Sequence, residues 1–313
     1  MQLYYKEENE PMKKKTVLIL FIILAIIAVY YIINFHKNKD TYEFKGNTFS
    51  YSENRGKADY EILSRNKNNS LDIYKVKFNS RDFLEEKAEI HGLIFIPEEK
   101  KEYPGIVFLP GGGGTKEGRG SLGESIAKLG YAVLIIDQRG IGETKASYLS
   151  FEQDYQVFSK RREPMQHLAV YDVLKSSDIL RNFKEAEIDK ENIAIIGESM
   201  GGRYGIIASA LDKRIKGIIA ISTSGFHIES NPLIPHNNYL ISIDPDYYID
   251  KISPNYLIMF YTINDSVVPL KDAQITFAKA KDPKEFLIIE GCQHGYCEKM
   301  DKEIEKGLKE IFG

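Results

Sequence analysis

The sequence NIAIIGESMGG, residues 192–202, decides the fold. Its apolar core IAII has the length of a buried strand, and a helical pattern begins at Met200. Between them Ser199 stands in the motif G-x-S-x-G. A sharp strand-to-helix turn holds such a serine in a strained conformation above the sheet and leaves no space for side chains at the glycines. A glycine-rich turn with a capping serine is the structural alternative.

Strand and helix patterns alternate on both sides of this motif. Residues 71–78 and 88–97 predict an antiparallel hairpin that comes before the alternating part. Wholly apolar strands that are separated by helices predict a mostly parallel central sheet with helices on both faces. The predicted strands are 105–110, 131–137, 192–197, 215–222, 256–262 and 285–291, and the predicted helices are 120–130, 164–183, 200–211, 269–280 and a last helix ending at Phe312.

Composition excludes several classes of protein. The chain has 313 residues, and 42 basic against 45 acidic side chains give a net charge of −3, which argues against a nucleic-acid partner. A hydrophobic share of 43% excludes disorder for most of the chain. Cys292 and Cys297 are too few for a disulfide scaffold. They are compatible with one bridge or with two free thiols.

One segment differs from the rest of the chain. Thr16–Phe35 contains 20 residues without a charge, which predicts a single transmembrane anchor. A cleaved signal peptide and a buried helix are the alternatives. Three lysines at 13–15 against Lys37 and Lys39 favour an N-terminus inside the cell and a catalytic domain outside. The predicted division is a tail at 1–15, the anchor at 16–35, a polar linker with about one short strand at 36–69, and one α/β domain at 70–313 with a small cap near 224–251.

A serine nucleophile needs a base and a carboxylate that orients it. His294 follows the last predicted strand, and Asp265 follows the strand before it, at the edge of the sheet where reacting groups gather. The order Ser199, Asp265, His294 is the one expected when such loops rise from one edge. His227 and His236 are the alternative bases, and helix capping is the alternative role for Asp265.

The glycine run that follows the strand at 105–110 supplies backbone donors for an oxyanion. PGGGG, residues 110–114, lets N–H groups approach a ligand without interference from side chains. The predicted donors are the Met200 and Gly112 N–H groups, with Gly113 as the alternative. A phosphate loop is the rival interpretation, but G-K-[ST] does not follow the run.

Together these pieces resemble the α/β-hydrolases, near the dienelactone hydrolase, acyl-peptidase and acyl-thioesterase branches. The matching motifs occur in the order of the family and cover about three quarters of the chain. Pro110, where many members have histidine, and Met200, where the prolyl-oligopeptidase type has an aromatic residue, depart from the pattern. The motifs are LPGGGG at 109–114, DQRGIG at 137–142, GESMGG at 197–202, NDSVVP at 264–269 and GCQHG at 291–295.

The resemblance implies a serine hydrolase that cleaves a carboxylic ester or a related acyl bond through an acyl-enzyme, and the apolar segment at 16–35 predicts that it is anchored in a membrane. The alternatives are an aminopeptidase or acyl-peptidase, an acyl-thioesterase, and a non-catalytic binding domain with the same fold. A small acyl compound is the expected substrate, and no cofactor or metal is expected. Phe226 and Tyr239 are the predicted substrate-binding residues, although an ordinary packed loop fits them equally well.

Overall fold

The computed structural model describes residues 10–37, 40–68, 70–99, 102–145, 148–231, 233–234 and 236–313. The strands are β1 Tyr42–Lys45, β2 Thr48–Tyr51, β3 Glu61–Asn68, β4 Leu71–Asn79, β5 Glu89–Pro97, β6 Tyr103–Leu109, β7 Ala132–Ile136, β8 Ile188–Glu198, β9 Ile215–Ile221, β10 Tyr256–Tyr261 and β11 Lys284–Ile288. The α-helices are α1 Glu10–Lys37, α2 Gly120–Lys128, α3 Phe151–Ser159, α4 Met165–Arg181, α5 Met200–Leu211, α6 Asn237–Ser242, α7 Leu270–Lys279 and α8 Asp301–Phe312. Short 3₁₀ helices cover Glu117–Arg119, Pro245–Tyr247, Ile249–Lys251 and Glu298–Met300.

Nine of these strands form one sheet in the order β11-β10-β9-β8-β6-β7-β5-β4-β3. The strands from β7 to β11 along that order pair in parallel. β5 joins them in antiparallel fashion, and β4 and β3 extend that antiparallel edge. The predicted hairpin and the mostly parallel sheet are therefore confirmed.

Both faces of the central strand β8 are buried over residues 193–196, as the apolar run IAII requires. Ile193 and Ile195 belong to one hydrophobic core, and Ala194 and Ile196 belong to the other. The first core also contains apolar side chains of α4, α5 and α7, and the second contains those of α2 and α8. Since side chains alternate across a strand, a strand that is covered on both faces must be apolar at every position.

The region before residue 70 differs from the prediction. Residues 36–69 contain three strands where about one was expected: β1 and β2 pair as a small hairpin, and β3 is an edge strand of the main sheet. All eight residues of β3 are exposed, so it carries no apolar alternation that a pattern search could find. By its contacts the chain forms two compact units, one that contains α1 and residues 52–56, and one that contains β1 to α8.

The predicted transmembrane segment lies within α1. A search of the residues that the structure describes finds no helix that is both long enough and apolar enough to span a bilayer. The prediction of a transmembrane helix is thus not confirmed. Residues 1–9 of the predicted tail lie outside the described residues, as do Lys39 and the side chains of the other lysines on which the orientation rested.

Candidate active site

Ser199 occupies the turn between β8 and α5. Its φ of 52° is in the left-handed region, and its N–H donates to the Ile221 carbonyl at 2.8 Å. A Cβ added at Gly201 would lie 2.4 Å from the Leu109 carbonyl oxygen, so only glycine lets α5 begin this close to β6. The strained turn that the sequence predicts is present, and the Ser199 side chain remains half-buried rather than enclosed.

His294 connects Ser199 with Asp265. Its Nε2 lies 2.9 Å from the Ser199 Oγ, and its Nδ1 lies 2.9 Å from each carboxylate oxygen of Asp265. The His294 side chain is 23% exposed, whereas the Asp265 side chain is fully buried. With the ring proton on Nδ1, the imidazole donates to Asp265, and its Nε2 is free to accept the hydroxyl proton of Ser199.

Asp265 is held as a carboxylate by its surroundings. Burial raises the pKa of Asp265, but the Val268 N–H, His294 and the Val267 N–H donate to the carboxylate, and the net pKa is lowered. The two backbone donors lie 2.9 Å from its Oδ1. These two bonds lie in the loop before α7, whose N-cap is Pro269 without a side-chain cap, so Asp265 does not cap that helix. They fix the carboxylate that faces the imidazole.

Hydrogen bonds fix the loop that carries His294 both before and after the histidine. The Gly295 N–H donates to the Ser222 Oγ at 3.0 Å, and the Thr262 Oγ1 donates to the Cys292 carbonyl at 2.7 Å. Cys292 and Cys297, which lie on either side of His294 in the sequence, form a disulfide. The sequence allowed either one bridge or two free thiols, and the structure has the bridge.

Glu198, beside the serine, joins this loop to the region of α2. Arg119 donates to both carboxylate oxygens of Glu198, at 2.8 and 2.6 Å, and the Tyr296 N–H donates to its Oε1 at 3.1 Å. A Cβ at Gly295, where φ is +91°, would lie 2.2 Å from the same oxygen. Because Glu198 is only 4% exposed, this contact fixes the backbone next to His294 against the nucleophile turn.

The glycine run lies against the nucleophile turn. A Cβ at Gly111 would be 3.5 Å from the Ser199 Cβ, and one at Gly112 would be 4.0 Å from the Met200 Sδ. Gly113 has a φ of +77°, and the Gly114 N–H closes the turn onto the Gly111 carbonyl at 2.9 Å. Gly111 and Gly112 thus lie beside Ser199 and Met200, and the roles of the Met200, Gly112 and Gly113 N–H groups as oxyanion donors stay predictions.

Buried polar contacts hold the glycine run in place. Lys116 is fully buried, and its backbone N–H and its Nζ each donate to Asp137 at 2.7 Å. The Gln138 side-chain amide donates to the Pro110 carbonyl at 2.5 Å. Asp137, Gln138 and Arg139 belong to the motif DQRGIG at 137–142. Arg139 makes a bidentate ion pair with Asp172. The D-x-R-G-x-G motif therefore braces the loop below the nucleophile.

Comparison with known proteins supports the fold. A family model described as the alpha/beta hydrolase fold matches residues 104–253. The chain has the α/β-hydrolase fold. The uncharacterized protein YfhR of Escherichia coli O157:H7 is 22% identical over 174 residues, which are 54% of this chain and 55% of that protein. The chain thus spans about half the length of the curated relatives that it matches.

Solved structures show the same fold over a larger part of this chain. The acetyl xylan esterase from Paenibacillus sp. R4 superposes with a TM-score of 0.67 at 19% identity, over 82% of this chain and 90% of that one. Acetyl xylan esterase 1 from Thermoanaerobacterium sp. JW/SL YS485 gives a TM-score of 0.62 at 15% identity, over 81% and 88%. At these identities the likeness establishes the fold.

The two histidines that were the alternative bases contact other carboxylates. His227 lies 2.7 Å from Asp246, and His236 lies 3.3 Å from Glu152. Neither is hydrogen-bonded to Ser199. Zinc bound by Cys292, His294 and Cys297 would have occupied the histidine that faces Ser199. Among the described residues there is no group of three or more His, Cys, Asp or Glu side chains that is placed to hold a metal ion.

The two predicted substrate-binding aromatics have different environments. Tyr239 is 1% exposed and donates to the buried Asp154 at 2.9 Å, so it packs inside the protein and cannot contact a ligand at the surface. Phe226, in the loop after β9, is half-buried and meets Phe151 edge to face at 5.9 Å between ring centroids. Phe226 is the one of the two that lies at the edge of the sheet that carries Ser199.

Sequence reasoning did not identify several residues around this site. Tyr148, whose hydroxyl lies 3.7 Å from the Met200 Sδ, and Phe151 come from a segment interpreted as a loop, which contains α3. The signal was present, because Ser150 and Gln153 form a capping box that marks the start of a helix. Glu198 and Arg119 gave no such signal, since no sequence pattern joins them.

Proposed function

We propose that this chain is a serine hydrolase that cleaves a carboxylic ester by way of an acyl-enzyme. The observation that carries the proposal is the hydrogen-bonded series from the Ser199 Oγ through the His294 imidazole to the Asp265 carboxylate. A serine hydroxyl is a weak nucleophile, and a base within hydrogen-bond distance activates it. The buried carboxylate keeps that base in the required tautomer.

The reaction begins with the Ser199 hydroxyl. As its oxygen attacks the ester carbonyl, the His294 Nε2 takes its proton, and Asp265 stabilises the imidazolium that forms. The carbonyl oxygen becomes an oxyanion, which accepts hydrogen bonds from the Met200 and Gly112 N–H groups, with Gly113 as the alternative donor. Collapse of the tetrahedral intermediate expels the alcohol, and His294 returns the proton to it.

Water completes the cycle. His294 takes a proton from a water molecule, which attacks the acyl carbon bound to Ser199, and the same backbone donors bind the second oxyanion. The carboxylic acid then leaves, and the Ser199 hydroxyl regains its proton. The choice of an ester over an amide is supported by the solved neighbours, two of which are acetyl xylan esterases by name.

The location of the chain stays a prediction from residues 16–35. Carbonate washing of cell membranes and protease treatment of intact cells would check the expected membrane attachment and the outward orientation of the catalytic domain.

A fluorophosphonate probe tests the reaction on the full chain. Wild type should be labelled and should hydrolyse 4-nitrophenyl esters faster than aminoacyl 4-nitroanilides. Ser199→Ala should lose both labelling and hydrolysis, because the nucleophile is gone. Ser125→Ala, which removes an exposed hydroxyl on α2, is the matched control and should behave as wild type. Labelling that persists in Ser199→Ala would contradict the proposal, and faster cleavage of the anilides would replace the ester with an amide.

A further inference from the structure

Arg203 lies one helical turn beyond the nucleophile. Its N–H donates to the Ser199 carbonyl at 3.2 Å, in the first turn of α5. Residues four apart share a helix face, so the Arg203 side chain leaves α5 on the side of Ser199. It is half-buried, and its guanidinium carbon lies 4.6 Å from the centroid of the Phe226 ring.

One aromatic ring lies against this guanidinium, and two more aromatic side chains lie nearby in the chain of contacts. Phe226 packs between Arg203 and Phe151, and Tyr148 reaches the Met200 Sδ. The Phe151 and Tyr148 side chains are 43% and 54% exposed, so this surface is open to a ligand. A substrate on Ser199 therefore has Arg203 and aromatic faces beside it.

Among the residues that the structure describes, the Arg203 guanidinium has no hydrogen bond and no ion pair, and it lies over the Phe226 ring. Other arginines near the site have carboxylate partners: Arg119 pairs with Glu198, and Arg139 pairs with Asp172. Arg203 is half-buried and none of its nitrogens is among the buried polar atoms without a partner, so its N–H donors are open to a ligand. Its planar fork matches a carboxylate in a bidentate manner.

We propose that Arg203 recognises a carboxylate group of the substrate, so that the preferred esters carry a second, ionised carboxyl. The inference rests on the proposed function and names the substrate class of the same site. The Phe226 ring holds the guanidinium at this surface.

Two matched pairs of esters test the inference with the full chain. The acyl pair is mono-4-nitrophenyl adipate and its methyl ester, and the alcohol pair is 4-acetoxybenzoate and methyl 4-acetoxybenzoate. In wild type we expect kcat/KM to be about tenfold higher for the anionic member of at least one pair. The difference should lie chiefly in a lower KM, because one charge-assisted hydrogen bond contributes a free energy of this size. The preference should weaken as salt is added.

Variants distinguish a direct contact between Arg203 and the substrate carboxylate from attraction by the overall electrostatic field of the protein. Arg203→Gln should abolish the preference, and Arg203→Lys should keep a part of it, because lysine retains the charge without the fork. Arg162→Gln removes the same charge from an exposed turn after α3 and should leave the ratio between the two esters unchanged. Thermal melting of each variant reports whether it is folded.

The outcomes distinguish this inference from the proposed function. Hydrolysis of both members at equal kcat/KM in both pairs would overturn the role of Arg203 and leave the hydrolase intact. A preference that survives in Arg203→Gln would also overturn it. Failure of wild type to hydrolyse any of the four esters, or hydrolysis that persists in Ser199→Ala, would overturn the proposed function and the substrate class with it.

Discussion

The two halves of the candidate site are built differently. The reacting half consists of Ser199, His294 and Asp265, and several hydrogen bonds fix the loops that carry them. The proposed recognition half consists of Arg203, Phe226 and Phe151, which meet through ring contacts and a guanidinium, with Tyr148 against Met200. Under the two proposals, one half would set the rate for any ester and the other half would select among esters.

The largest effect is expected from Asp265→Asn. The amide would favour the wrong imidazole tautomer and could not stabilise the imidazolium, so kcat should fall by about 10⁴ for anionic and neutral esters alike. Steady-state kinetics on both members of the acyl pair would measure this. The exposed Asp59→Asn is the control and should match wild type. A loss restricted to the anionic ester would break the division into two halves.

Glu198→Gln should have the next largest effect. The substitution keeps the shape but weakens the paired contact with Arg119, and charge-assisted hydrogen bonds contribute about 1.5–3 kcal/mol, so kcat should fall by about 10- to 100-fold. KM should change little, because Glu198 positions the His294 loop. Glu191→Gln, on the same strand but exposed at its far end, is the control. Retention of wild-type kcat would show that the disulfide and Ser222 suffice to position the loop.

Phe226→Ala tests the recognition half. Loss of the ring removes the support of Arg203 and the edge contact with Phe151, and a cation–π contact is worth about 0.5–1 kcal/mol. The KM of the anionic ester should therefore rise about 2- to 5-fold while its kcat stays near wild type. Leu233→Ala, 89% exposed in the same loop, is the control. A fall in kcat for both esters would place Phe226 in the reacting half instead.

Glu143 lies outside both halves, in contact with Lys116, and its titration gives the smallest effect. Lys116 beneath the glycine loop and Lys75 lower the pKa of Glu143 from 4.5 to about 2. A carboxylate with a lowered pKa stabilises the fold above the unfolded value, and this contribution disappears as the pH falls through the folded value. The free energy of unfolding should thus decline between pH 4.5 and about 2, and less steeply in Glu143→Gln. Urea unfolding at several pH values would measure both slopes, and equal slopes would contradict the assignment.

The reacting half was predictable from the sequence because its residues occupy short motifs at the ends of apolar strands. GESMGG, NDSVVP and GCQHG each follow such a strand, and the carboxyl ends of parallel strands share one edge. The structure brings Ser199, Asp265 and His294 to hydrogen-bond distance at that edge.

The recognition half was harder to predict, because its residues carry no motif. Arg203 is one more polar residue in a helix, and Tyr148 lies in a polar segment with no apolar period. Tyr239 was predicted at the site because it is aromatic and lies in the predicted cap, but its hydroxyl binds the buried Asp154. Whether an aromatic residue faces a ligand or the core depends on packing, which no local pattern encodes.

The sequence by itself determined the parallel sheet, the order of its helices and the candidate nucleophile, base and acid. These depend on local periodicity and on turns that only glycine permits, so they can be seen within a few residues. The tertiary structure alone decided which distant groups meet: Arg119 with Glu198, Cys292 with Cys297, and Arg203 with Phe226 rather than with a carboxylate. Such pairings depend on how the loops after separate strands fold together at one edge of the sheet.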